Sequence, residues 1–320
     1  MLVLVAAGTV AIAYSFPIMM GIVILVGIVA ASYWQTIHAY PSGGGSYIVA
    51  KDNLGTLPGL IAGAALLLDY ILTVAVSTAA GVAAVTSAFP GLFPWRVAIC
   101  VVTVMAVTVA NLRGVRESGN LFTIPTYWFI ASLGALLVAG GYRIVTGTVQ
   151  PYPAEELKLT EGIGAFLLLR AFSSGCATLT GIEAVSNGIP AFRPPEPRNA
   201  SITLVWMASI LGATSLGIAY LAHLYHVTPR EAETVVSMLA RATMGEGILY
   251  YNIQAATAVI LFLAVNTSYQ DFPRLSSILA RDGFMPRQMA NRGDRLVFSN
   301  GILILSGLSI ALLILSLIHI

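Results

Sequence analysis

Leu169-Arg170-Ala171-Phe172-Ser173-Ser174-Gly175-Cys176-Ala177-Thr178-Leu179-Thr180-Gly181-Ile182-Glu183-Ala184 is the stretch on which the fold turns. It lies in an apolar run, residues 163–188, that is long enough to cross a bilayer as a helix. Yet small and helix-weakening residues crowd the space between Ser173 and Gly181. A break at membrane depth survives only where protein or a water-filled cavity supplies partners for the freed backbone groups. Two half-helices are therefore expected here, with open carbonyls and dipole ends near the midplane. Thr180 and Glu183 are three apart, which predicts that both face one side of the inner half-helix. The alternative is a Gly/Ser-rich packing face with Glu183 near the cytoplasmic rim.

Outward from that run, the whole chain of 320 residues has the same character: 57% hydrophobic and only 9% charged. Soluble domains carry about 25% charge, so too little polar surface remains to cover a soluble particle. Further apolar runs at 16–33, 58–89, 97–110, 121–145, 200–222, 247–265 and 298–318 read as spans. Residues 1–14 are also apolar but reach only about 21 Å as a helix, short of a bilayer core of about 30 Å, and read as a half-helix. The expectation is an all-α polytopic membrane protein of about eight full spans and one half-helix. No basic n-region precedes the first run, so a signal peptide is not expected.

Basic residues set the orientation. With the connection near Ser15 outside, Lys51, Arg113, Arg116, Arg193, Arg198, Arg274, Arg281, Arg287, Arg292 and Arg295 fall inside, ten of the 16 Lys and Arg residues. Arg96, Arg143, Lys158, Arg230 and Arg241 fall outside, and Arg170 is intramembrane. Residues 223–246 have helical spacing and read as a short external helix. Residues 271–295 read as a cytoplasmic amphipathic helix followed by a turn.

Two acids are then left inside spans, Asp69 and Glu183. A carboxylate at that depth costs several kcal/mol unless it meets a partner or a cavity. Thr73 and Ser77 follow Asp69 by one and two helical turns, and Tyr70 stands beside it. One acid and three hydroxyls are hard oxygen ligands, suited to a cation that sheds water or to a proton. A buried ion pair between Asp69 and Arg170 is the competing explanation. Gly59 and Gly63 read as a helix-packing pair. Cys100 and Cys176 read as small buried hydrophobes. The four histidines are scattered, and the run Gly43–Gly45 lacks the Lys-Ser/Thr of a phosphate loop. No nucleophile–base pair, nucleic-acid patch or cofactor motif is legible, so neither an enzyme nor a resident cofactor is expected.

Three stretches carry a family resemblance: Tyr40-Pro41-Ser42-Gly43-Gly44-Gly45-Ser46-Tyr47, Asn111-Leu112-Arg113-Gly114-Val115-Arg116-Glu117-Ser118-Gly119, and Leu179-Thr180-Gly181-Ile182-Glu183-Ala184. They resemble the amino acid–polyamine–organocation permeases, over essentially the whole chain. Leu68-Asp69-Tyr70-Ile71-Leu72-Thr73, Ser173-Ser174-Gly175-Cys176 and Asn266-Thr267-Ser268-Tyr269-Gln270-Asp271-Phe272-Pro273-Arg274 are most similar to the KimA-type potassium importers of that superfamily.

The resemblance implies an inverted-repeat fold of five plus five helices, with residues 1–145 and 163–320 as the two repeats of a single transmembrane domain. It implies proton-coupled potassium uptake across a bacterial cell membrane. Asp69, Tyr70, Thr73, Ser77, Thr180 and Glu183 would bind the potassium ion, with Arg170 as a counter-charge. Potassium and a proton are then cargo, the bilayer is the partner, and a homodimer is left open. Measured against the family, the inner half of the first helix and the tenth helix are absent, which makes a partial chain the expectation. An amino-acid or polyamine permease and a non-transporting membrane fragment are the alternatives.

Overall fold

The computed structural model describes residues 14–41, 43, 45–113, 119–149, 164–230, 232–290 and 298–319. The run 1–14, apart from Tyr14, lies outside them, as do the loop 150–163 and the positions of Arg116, Arg292 and Arg295. Among the described residues every regular element is helical. In chain order they are α1 (Ser15–Ala39), α2 (Gly45–Leu54), α3 (Thr56–Ala88), α4 (Arg96–Leu112), α5 (Gly119–Val145), α6 (Ala165–Gly175), α7 (Ile182–Asn187), α8 (Glu196–Leu224), α9 (Val235–Met244), α10 (Ile248–Arg281) and α11 (Ser299–His319). Eight stretches of described helix are long and apolar enough to cross a membrane, one for each full span read from the sequence.

Two boundaries moved. The span read as 16–33 continues to Ala39. More consequentially, α10 does not stop at Val265: it runs unbroken for 34 residues to Arg281, through the segment expected to begin a cytoplasmic helix. Hydropathy falls at Asn266, but the polar residues there find partners on neighbouring helices, so the backbone has no reason to leave its ladder. The external helix expected within 223–246 is α9, whose first turn is capped by Thr234 accepting from the Ser237 N–H at 3.2 Å.

The described chain packs as two units. One takes Met1–Gly43 with Phe129–Gln254, the other Gly44–Trp128 with Ala255–Ile320, so each draws from both halves of the sequence. In the first, Val26, Ala30 and Ile37 of α1 pack with Ala200 and Leu204 of α8 and with Ile182 of α7. Glycine lets these helices close up: a Cβ at Gly175 would collide with Ile22, and one at Gly217 would come within 2.8 Å of Leu137.

In the second unit, Val74, Val82, Val104, Val265, Phe272 and Leu305 form part of one apolar core over α3, α4, α10 and α11. A buried ring of hydroxyls ties three of those helices. Thr108 lies 2.9 Å from the Tyr269 hydroxyl and 2.8 Å from that of Ser306, and the last two are 2.9 Å apart. Asn111 Nδ2 donates to Asn266 Oδ1 at 2.6 Å. The short helix α2 lies against α3, where Gly59 and Gly63 meet Lys51 and Tyr47, the packing role read for both glycines. Its far end is held by Asp282, whose Oδ2 accepts from the Tyr47 hydroxyl at 2.5 Å and from Lys51 Nζ at 2.7 Å. Of the two cysteines, Cys100 is buried as expected, while Cys176 is only partly so.

Candidate functional site

Helix α3 is 33 residues long, about 50 Å, and Asp69 lies 13 residues from its start, about 20 Å along the axis. The helix has no break between Thr56 and Ala88, so Asp69, Thr73 and Ser77 recur every four residues and form one stripe. All three are half-buried. Tyr70 is 5% exposed, and its ring is packed into the apolar core of the second unit. The Thr73 hydroxyl oxygen is closed off, yet it has no hydrogen-bond partner. A helical threonine ordinarily satisfies itself on the carbonyl four residues back, as Thr108 does on Val104 at 2.7 Å. Thr73 forgoes that bond one turn beyond a carboxylate.

The broken span lies in the first unit. Helix α6 ends at Gly175 and tightens into a 3-10 turn over Cys176–Leu179. Thr180 then turns extended at ψ 132°, and Gly181 takes φ 92°, a left-handed value that side chains other than glycine rarely adopt. Helix α7 starts at Ile182, with Glu183 in its first turn, where a carboxylate suits the helix dipole. The reversal at Thr180–Gly181 overturns one expectation. Thr180 precedes the inner half-helix, so it does not share a helical face with Glu183. Thr180 is exposed and Glu183 half-buried.

The residue that does share that face is Ser186, three positions after Glu183, fully buried with an unpartnered hydroxyl. Sequence reasoning passed over it because serines that pack or bond their own helix look the same in one dimension. Arg170 is an exposed residue of α6. The structure thus gathers Asp69, Thr73 and Ser77 on α3 in one unit, and Glu183 and Ser186 on α7 in the other. Each group offers carboxylate and hydroxyl oxygens, hard ligands for an alkali cation or acceptors for a proton.

Comparison with known proteins agrees with this architecture. The family profile described as amino acid permease matches residues 2–319. The potassium transporter KimA of Bacillus subtilis (strain 168) is 50% identical over 305 residues, which is 94% of this chain and 50% of the relative. The chain therefore spans about half the length of that curated relative. With eight helices among the described residues fit to span a bilayer, and a bacterial relative, it is a multi-pass protein of a bacterial cell membrane. It belongs to the amino acid permease family within the amino acid–polyamine–organocation superfamily.

Proposed function

We propose that this chain forms the ion-handling part of a secondary active potassium importer driven by a proton. Asp69 and Glu183 hold potassium and proton in turn. Thr73, Ser77, Thr180 and the hydroxyl of Tyr70 replace water that the ion sheds, and Arg170 supplies a counter-charge in the unit that holds Glu183. The observation that carries the reading is the closed-off, unpartnered hydroxyl of Thr73 one turn from Asp69. A buried hydroxyl without a partner costs about 1–3 kcal/mol, and such a cost persists where a ligand completes the site. Similarity to a protein named as a potassium transporter supports the choice of cargo.

The test is uptake of potassium, with rubidium as tracer, by the protein reconstituted into liposomes. Asp69→Asn is expected to lower uptake at least tenfold, and Thr73→Val to raise KM about threefold to tenfold, the loss of one ligand oxygen. Unaltered uptake and pH dependence in Asp69→Asn would refute the mechanism. The family's name supports a second cargo, amino acids or polyamines. Asp69 would repel a substrate carboxylate, so a cationic polyamine is the fitting form. Competition of uptake by a polyamine at micromolar concentration would favour it.

A further inference from the structure

The polar run Asn266–Asp271 has no part in the ion path above. In the sequence Asp271 opens a cytoplasmic loop. In the structure it lies inside the helix α10, ten residues before its end, as a third acid on a helix long enough to span the bilayer.

Its place relative to α3 follows from contacts within the second unit. A Cβ at Gly63 would lie 3.6 Å from Leu279, and one at Gly81 would lie 2.6 Å from the ring of Phe262. The two contacts are 18 residues apart on α3 and 17 apart on α10, in opposite order. The helices are therefore antiparallel and hold register between those points. Interpolation puts Asp271 level with Ile71 and Leu72, between Asp69 and Thr73. It puts Ser268 level with Val74 and Ala75, between Thr73 and Ser77.

The rotation of each helix is fixed as well. Helices α4 and α11 occupy one flank of the pair: Asn111 bonds Asn266 at 2.6 Å, and Ser309 Oγ donates to the Ile71 carbonyl at 3.2 Å. At about 100° per residue, Asp271 lies about 140° around α10 from Asn266, and Asp69 about 160° around α3 from Ile71. On each helix the acid sits across the line of closest approach from that flank. Asp69 and Asp271 thus share the opposite flank within one helical turn of each other, both half-buried, with Asp271 between Asp69 and Thr73 in height. Ser268, 2% exposed, lies on the same side of α10 as Asp271.

We propose that Asp271 and Ser268 are the second wall of the ion path. A cation leaving water meets Asp69, Thr73 and Ser77 on α3 and Asp271 and Ser268 on α10. Carboxylates on both helices draw in cations and repel solutes that carry a carboxylate. This inference rests on the potassium reading above.

Rubidium-traced potassium uptake into liposomes tests it, with thermal unfolding measured alongside. Asp271→Asn is expected to raise KM for potassium about tenfold, with kcat less affected and the melting temperature unchanged. Asp271→Glu restores most of the affinity. Ser268→Ala raises KM about threefold and carries the test should Asp271→Asn fail to fold. An unaltered KM in both variants overturns this inference while the potassium reading stands. A rise in KM that tracks a fall in melting temperature, with no rescue by glutamate, also overturns it in favour of a structural role. A parent protein that takes up no potassium overturns both.

Discussion

At the scale of single residues, the chain spends polar groups sparingly and sets several of them where a neighbouring helix answers. Thr108, Tyr269 and Ser306 answer one another, and Asn111 answers Asn266. Six buried hydroxyls among the described residues have no partner, those of Ser15, Thr73, Thr78, Ser186, Thr228 and Ser276, and of these Thr73 and Ser186 are the two that follow an acid by one helical turn. Asp69 was legible from cost alone, since an acid in an apolar run needs a reason. Ser186 and Asp271 were not. One is a common residue in a helical context, and the other sits where hydropathy had already fallen. Glycines carry the complementary information, because they mark where helices touch. Gly81 faces the ring of Phe262, so Gly81→Ala is expected to destabilise the protein by about 1–3 kcal/mol through overpacking. A thermal melt in detergent reads this directly, and Phe262→Leu in the same chain should recover most of the loss.

At the scale of elements, the break between α6 and α7 and the continuity of α10 are opposite outcomes of one requirement. Backbone groups at membrane depth need partners. Where Gly175 and Gly181 let the chain turn, it turns; where Asn266 and Tyr269 gain partners on α4, the helix goes on. Gly181→Ala forces a side chain into the left-handed region at about 1–2 kcal/mol, so uptake and melting temperature are both expected to fall.

The other element with a measurable signature is α2, held at its end by the Lys51–Asp282 ion pair of 2.7 Å. Hydrogen bonds from Lys51 and then Tyr47 hold the Asp282 carboxyl below the usual carboxylate range, and the bond to Asp282 raises the Lys51 amine. Burial, followed by the bond to Asp282, raises the Tyr47 phenol. The contribution of Asp282 is present above the ordinary carboxylate range and is lost as pH falls through its lowered value. That of Lys51 is present below the ordinary amine range and is lost as pH rises through its raised value. The melting-temperature difference between the parent and Asp282→Asn is therefore expected to be level from about pH 5 to about pH 10 and to shrink outside that window.

At the scale of the whole molecule, two units each built from both ends of the sequence hold one group of oxygen ligands apiece. Ligand linkage gives a test that needs no transport. An ion that binds only the folded protein stabilises it by about 2.7 kcal/mol at a hundredfold excess over its Kd. Potassium chloride is expected to raise the melting temperature where sodium and choline chloride at the same ionic strength do not. A chain that binds no potassium would melt alike in all three. Charge fits the same orientation: Lys51 in the last turn of α2 and Arg281 in the last turn of α10 lie at helix ends that the basic-residue count places inside.

What the sequence by itself determined was the solvent and the element type. Runs of apolar residues with few charges leave a helical membrane span as the one arrangement that satisfies every backbone group. The same one-dimensional reasoning found the break after Gly175 and the acid at Asp69, because both are local departures from an apolar helix. Only the tertiary structure decided which polar residues stand together. It carried α10 past Val265 to Arg281, separated Thr180 from the face of Glu183, and set α10 antiparallel against α3. Those outcomes depend on partners far away in sequence and on one glycine's left-handed turn, and a helix continues or breaks according to what its neighbours offer the backbone.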